Sequence, residues 1–147
     1  MLRTRLIHPQ ILAALAEAGH GSQVLLSDGN FPHATATPPG ATRVYLNLSP
    51  GRVTVTEVLE ALAPTVPLEA AAVMRPDDAD APAVLGEYRA LLPPGLPVQV
   101  VERLAFYELA RGRDVTLLVA TGDQRLYANL LLTIGYVEPG SSDDHPR

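Results

Sequence analysis

Residues Leu15 to Pro32 read LAEAGHGSQVLLSDGNFP, and the fold follows from how this stretch divides. An apolar pattern at helical spacing (Ile11, Leu12, Leu15, Ala18) runs into it from Pro9, a residue suited to the first turn of a helix. The spacing predicts a helix over 9–18. Gly19 fits the position just past a helix end, where a positive φ is cheap only for glycine. Gln23 to Ser27 is then too short for a helix, and as an apolar run it reads as a strand buried on both faces of a sheet. Pro32 cannot continue a central strand, so the chain must leave the sheet there. His20 and Asp28, two groups able to move protons, therefore sit at opposite ends of one short strand.

The same punctuation recurs along the chain. Asp28 to Ala41 is rich in Pro, Gly, Ala and Thr without period, a long loop of the kind that forms sites. Arg43 to Leu48 alternates and carries β-formers, which predicts a strand. Thr54-Val55-Thr56-Glu57 matches a capping box opening a helix over 55–63, with Val58, Leu59 and Leu62 inward. Ala70 to Met74 reads as a strand, and Asp77, Asp78 and Asp80 as a solvated loop without calcium-loop spacing. Ala83 to Leu92 reads as a helix with Val84, Tyr88, Leu91 and Leu92 inward. Val98 to Val101 reads as a strand, Ala105 to Ala110 as a helix and Val115 to Ala120 as the clearest strand. Leu130 to Ile134 reads as a strand because Gly122 and Gly135 bracket a short length. Helices alternating with short buried strands make an α/β fold, a single domain with helices packed on a central sheet.

Composition narrows the function. The chain has 147 residues and a formal net charge of -5, with 11 scattered Lys and Arg, which argues against a nucleic-acid binder. It contains no cysteine, which excludes disulfides and thiolate metal sites. No apolar run approaches the ~18 residues that span a bilayer. MLRTRLIHPQ has no signal-peptide core, so a cytoplasmic location is expected. The four histidines lack matched acidic ligands and form no metal motif. His8 is placed to cap the first helix.

GHG at 19–21, an apolar strand and SDGNFP at 27–32 together resemble the opening of the ribose pyranase / L-fucose mutarotase family. RLAFYE at 103–108, TGD at 121–123 and YANLLL at 127–132 extend the likeness from His8-Pro9 to about Val137. The resemblance implies a mutarotase domain over 1–137, followed by a tail over 138–147 expected to be disordered. It also implies an isomerase without cofactor or metal that acts on a free monosaccharide, L-fucose above all. No nucleic-acid or membrane partner is expected, and members form ring-shaped homo-oligomers, some of them decamers, with sites near subunit contacts. The alternatives are a D-ribose pyranase and a sugar-binding module that catalyses nothing.

The family places its catalytic histidine at the position of His20. Imidazole suits the task, since its pKa lies near the operating pH. Asp28 matches the family aspartate and would orient either a substrate hydroxyl or His20 itself. Arg103 opens the fucose-type motif, and its fork of donors can grip sugar oxygens. Tyr127 and Asn129, two apart, would point to one side of an extended segment and belong to the sugar site in the family. Phe106 and Tyr107 read as core, or one of them as an apolar wall. The sequence departs from the family at Ser22, where relatives carry Asp, over 52–75, and at His33, one position early. His33 is thus either a second sugar contact or a loop histidine.

Overall fold

In the computed structural model, which describes residues 1–141, a six-stranded mixed sheet carries four α-helices. The strands are β1 (Gln23–Ser27), β2 (Thr42–Tyr45), β3 (Leu68–Arg75), β4 (Val98–Glu102), β5 (Val115–Ala120) and β6 (Leu130–Ile134). The helices are α1 (Pro9–Glu17), α2 (Val55–Leu62), α3 (Leu85–Leu91) and α4 (Arg103–Ala110). The strand order is β2-β5-β1-β6-β3-β4. Strands β2, β5 and β1 run parallel, as do β3 and β4, and β6 lies antiparallel between β1 and β3. Of the tail expected over 138–147, residues 142–147 lie outside the described residues.

The side-chain alternation of each strand feeds two cores. Val24, Leu26, Leu117, Val119, Leu130 and Leu132 pack on one face against Ile11, Leu59, Leu62 and Tyr88 of α1, α2 and α3. Leu25, Leu118, Leu131 and Met74 pack on the other, against Phe31 and against Phe106 and Ala110 of α4. Phe106 is therefore core, whereas Tyr107 is only half-buried. No helix is long and apolar enough to cross a membrane among the described residues.

The local predictions hold with shifted bounds. Pro9 opens α1, and the His8 ring accepts from the Ile11 N–H at 3.4 Å. The Thr54–Glu57 capping box is formed in both directions. The predicted strand over 43–48 ends earlier, at Tyr45, because the chain bends into a turn after Leu46 donates to the Ala120 carbonyl at 2.8 Å. Gly19 is not the left-handed residue. Helix α1 ends when Ala18 turns extended and the Ser22 hydroxyl takes the Gly19 N–H, and the positive φ, 84°, falls on Gly21.

Candidate active site

Parallel strands of an α/β sheet leave a crevice outside their carboxyl ends, where ligands commonly bind. Here the carboxyl ends of β1, β3 and β4 meet the entry to β6, and a cavity of about 130 Å³ opens between them. Asp28, Arg103, Tyr127 and Asn129 all line it, with Asn30 and Tyr107 beside them. Four of the five predicted site residues thus converge from segments as much as 101 positions apart. A larger hollow of about 370 Å³ lies alongside, lined by Asn30, Asn47, Ser49 and Gln124, and gathers none of the four. The smaller cavity is the better candidate, because Asp28, a buried carboxyl without a paired cation among the described residues, lines it with Arg103 and Tyr127, whereas Asp123, the carboxyl lining the hollow, is paired with Arg125.

Asp28 and Asn129 are locked together. The Asp28 N–H donates to Asn129 Oδ1 at 2.9 Å, and Asn129 Nδ2 donates to Asp28 Oδ2 at 3.1 Å. Asp28 Oδ1 accepts from the Asn30 N–H at 2.9 Å, an Asx turn that carries the chain out of β1. Asp28 is only 3% exposed, and no ion pair joins it to a cation among the described residues. Burial pushes its carboxyl above the ordinary range, against the pull of the N–H bonds it accepts.

Tyr127 reaches the cavity by a route the sequence spacing does not describe. It has φ 61°, so the segment before β6 is kinked rather than extended. The kink is held from behind, where the buried Tyr88 hydroxyl donates to the Ala128 carbonyl at 2.8 Å. Next to it, Asp123 accepts from the Val55 N–H and from both the backbone and the guanidinium of Arg125. Arg125 also bonds Thr56 and Glu87, so one side chain ties α2 and α3 to the segment carrying Tyr127 and Asn129. Burial would raise the Asp123 carboxyl, but the Arg125 bonds outweigh it and hold the group below its ordinary value. Sequence reasoning missed this junction and the Tyr88 hydroxyl bond. Arg125 two residues after Asp123 was visible, but nothing in the sequence marked Asp123 as buried.

His33 bonds the Asp28 carbonyl through Nε2 at 3.1 Å and does not line the cavity. Burial lowers its pKa, which favours the neutral ring. In this arrangement it clasps the loop.

His20 stands apart. It is exposed at the amino end of β1, and Nε2 lies 2.8 Å from Glu69 Oε2. Five residues of strand at about 3.3 Å each separate it from Asp28. Within one chain, Asp28 therefore cannot orient His20, and that alternative is withdrawn.

Comparison with known proteins shows the family. Residues 1–137 match the model of the RbsD / FucU transport protein family. The fucose mutarotase of Danio rerio is 32% identical over 143 residues, covering 89% of this chain and 90% of the relative. The D-ribose pyranase of Paracidovorax citrulli (strain AAC00-1) is also 32% identical, over 135 residues, covering 92% and 98%. Both relatives are carbohydrate isomerases. Among solved structures, the fucose mutarotase of Streptococcus pneumoniae in complex with L-fucose superposes with TM-score 0.77 at 28% identity, covering 94% of this chain and all of that one (100%). The chain so folded, with its polar cavity at the carboxyl edge of the sheet, belongs to the RbsD / FucU family.

Proposed function

We propose that the chain is a sugar mutarotase that interconverts the α and β anomers of a free aldose, L-fucose first, by acid–base chemistry alone. The convergence of Asp28, Arg103, Tyr127 and Asn129 on one cavity carries this reading. A carboxylate, a guanidinium, a phenol and an amide together supply the donors and acceptors that a polyol needs. In the reaction a base takes the proton of the anomeric hydroxyl while an acid protonates the ring oxygen. The bond from C1 to the ring oxygen breaks, the aldehyde turns, and the same transfers in reverse close the other anomer.

His20 is the proton-transfer group in this proposal, and it serves the cavity of a neighbouring copy. Two observations support that assignment: its distance from the cavity of its own chain, and the exposed Tyr136 beside it, followed in the chain by the exposed Val137, which offer apolar surface for a contact. A ring of copies, each lending its histidine to the next, meets both. The sugar stays open between L-fucose and D-ribose, because relatives of both kinds are 32% identical. Arg103 in RLAFYE favours fucose.

Saturation-transfer NMR on L-fucose, D-ribose, L-rhamnose and D-galactose, with and without protein, tests the reaction. Faster α/β exchange of L-fucose is expected. Pyranose–furanose exchange with ribose alone would move the chain to the pyranase reading, and no acceleration would leave a binding module. Re-assembling His20→Ala with Asp28→Asn copies tests the sharing. Each alone is inactive, and the mixture recovers about a quarter of the sites if the histidine comes from a neighbour in a closed ring. No recovery would sink the shared site.

A further inference from the structure

We propose that Glu69 is a positioning residue for His20, holding the imidazole with its proton on Nε2 and leaving Nδ1 as the free base. The inference rests on the reading of His20 as the proton-transfer group. An ionised carboxylate only accepts hydrogen bonds, so at 2.8 Å the His20 Nε2 must be the donor. The neutral ring then keeps its lone pair on Nδ1, the nitrogen left to face a substrate.

The backbone is built to make this contact. Pairing between β3 and β6 passes from Leu68↔Ile134 to Ala70↔Thr133, so Glu69 is the extra residue of an irregularity in the ladder. Bulges of this kind re-aim a side chain. Across from it stands Gly135, where a Cβ would meet the Glu69 Cβ at 3.4 Å and its carboxylate at 3.7 Å. A side chain there would press directly on the glutamate. The histidine is fixed by its own turn, in which the Gly21 N–H donates to the Ile134 carbonyl and the Ile134 N–H to the Ser22 carbonyl, each at 2.9 Å. Tyr136 flanks the ring at 5.2 Å between centroids. Three separate segments thus converge on one exposed pair.

Stability does not account for that arrangement. The two side chains are 55% and 40% exposed, and ion pairs so exposed contribute little to folding. Orientation of a reacting group does account for it, by the logic of a base held in place by a third group.

The test is nitrogen-15 NMR of the His20 ring, with exchange kinetics, in wild type, Glu69→Ala and Glu69→Gln. The expected wild-type ring is a single Nε2–H tautomer that gives way to a mixture in Glu69→Ala. The turnover number should fall about 10-fold, with KM within about twofold and an unchanged melting temperature. Ring spectra identical in wild type and Glu69→Ala would overturn the proposal whatever the activity. So would altered spectra with an undiminished turnover number. Wild type that exchanges no sugar would sink the mutarotase reading and Glu69's catalytic role together, while the spectra would still decide whether the contact orders the ring.

Discussion

Two buried aspartates stand at the carboxyl edge of the sheet, and their surroundings differ in one respect. Asp123 has a cation. Arg125 grips both its oxygens, the Val55 N–H takes a further share, and the group is held in its ionised form. Asp28 has none. Its oxygens accept from one backbone N–H and one amide, burial resists its charge, and it faces an open cavity. A carboxylate that only had to hold the fold together would be better served by the first arrangement. The second is expected where an incoming ligand is to complete the hydrogen bonding, and a carboxyl in a cleft whose pKa is raised by burial is a candidate functional group for that reason. The neighbouring junction bears the structural load.

The sharpest way to break this comparison is to neutralise each aspartate in turn. Asp28→Asn should slow anomer exchange by at least about 100-fold. It should cost no more than about 1 kcal/mol of stability, because the amide nitrogen then meets a donor, the Asn30 N–H or Asn129 Nδ2, while the burial penalty on the charge is removed. Asp123→Asn should do the opposite, lowering stability by about 2 kcal/mol through the weakened bonds to Arg125. Exchange there should fall no more than about twofold. NMR exchange and urea titration of both variants would read the crossover, and equal effects on both quantities would abolish the distinction.

Acid sharpens it further. The folded pKa of Asp123 is depressed, so its stabilisation is present above the ordinary carboxylate range and lost as pH falls through the folded value. The folded pKa of Asp28 is raised, so its ionisation is a cost that disappears as pH falls through that raised value toward the ordinary one. Between pH 7 and pH 3, about the span of ordinary carboxylate titration, wild type should lose ground against Asp123→Asn and gain it against Asp28→Asn. The smallest effect belongs to the support behind the site. Tyr88→Phe leaves the Ala128 carbonyl without its donor and should cost about 1 kcal/mol, measured by thermal melts, with exchange reduced only a few-fold.

Much of this was legible in the sequence because short apolar runs between Gly and Pro leave little choice of element. Strands β1, β5 and β6 and the capping box of α2 follow from pattern alone. Four of the residues proposed for the site line one cavity, but the spacing argument for one pair does not describe the backbone. Tyr127 and Asn129 share a cavity because Tyr127 is forced to a left-handed φ, not because the segment is extended. The supports were illegible for a different reason. Glu69, Asp123 and Arg125 look like ordinary surface charges in one dimension. Only the ladder irregularity and the packing of α2 and α3 give them partners.

The place of β6 has a consequence for how the molecule comes into being. It is the sixth strand in the chain, yet it lies inside the sheet, between β1 and β3. Before it docks, β2-β5-β1 and β3-β4 are two half-sheets, each with a bare edge exposed to other chains. A ribosome must therefore release more than 130 residues before the sheet can close. Tyr127 and Asn129 travel on the segment that leads into β6, so folding and completion of the polar cavity become one late event. A partly synthesised chain has neither, and slow closure through such long-range pairing leaves a window for aggregation that chaperones would have to cover.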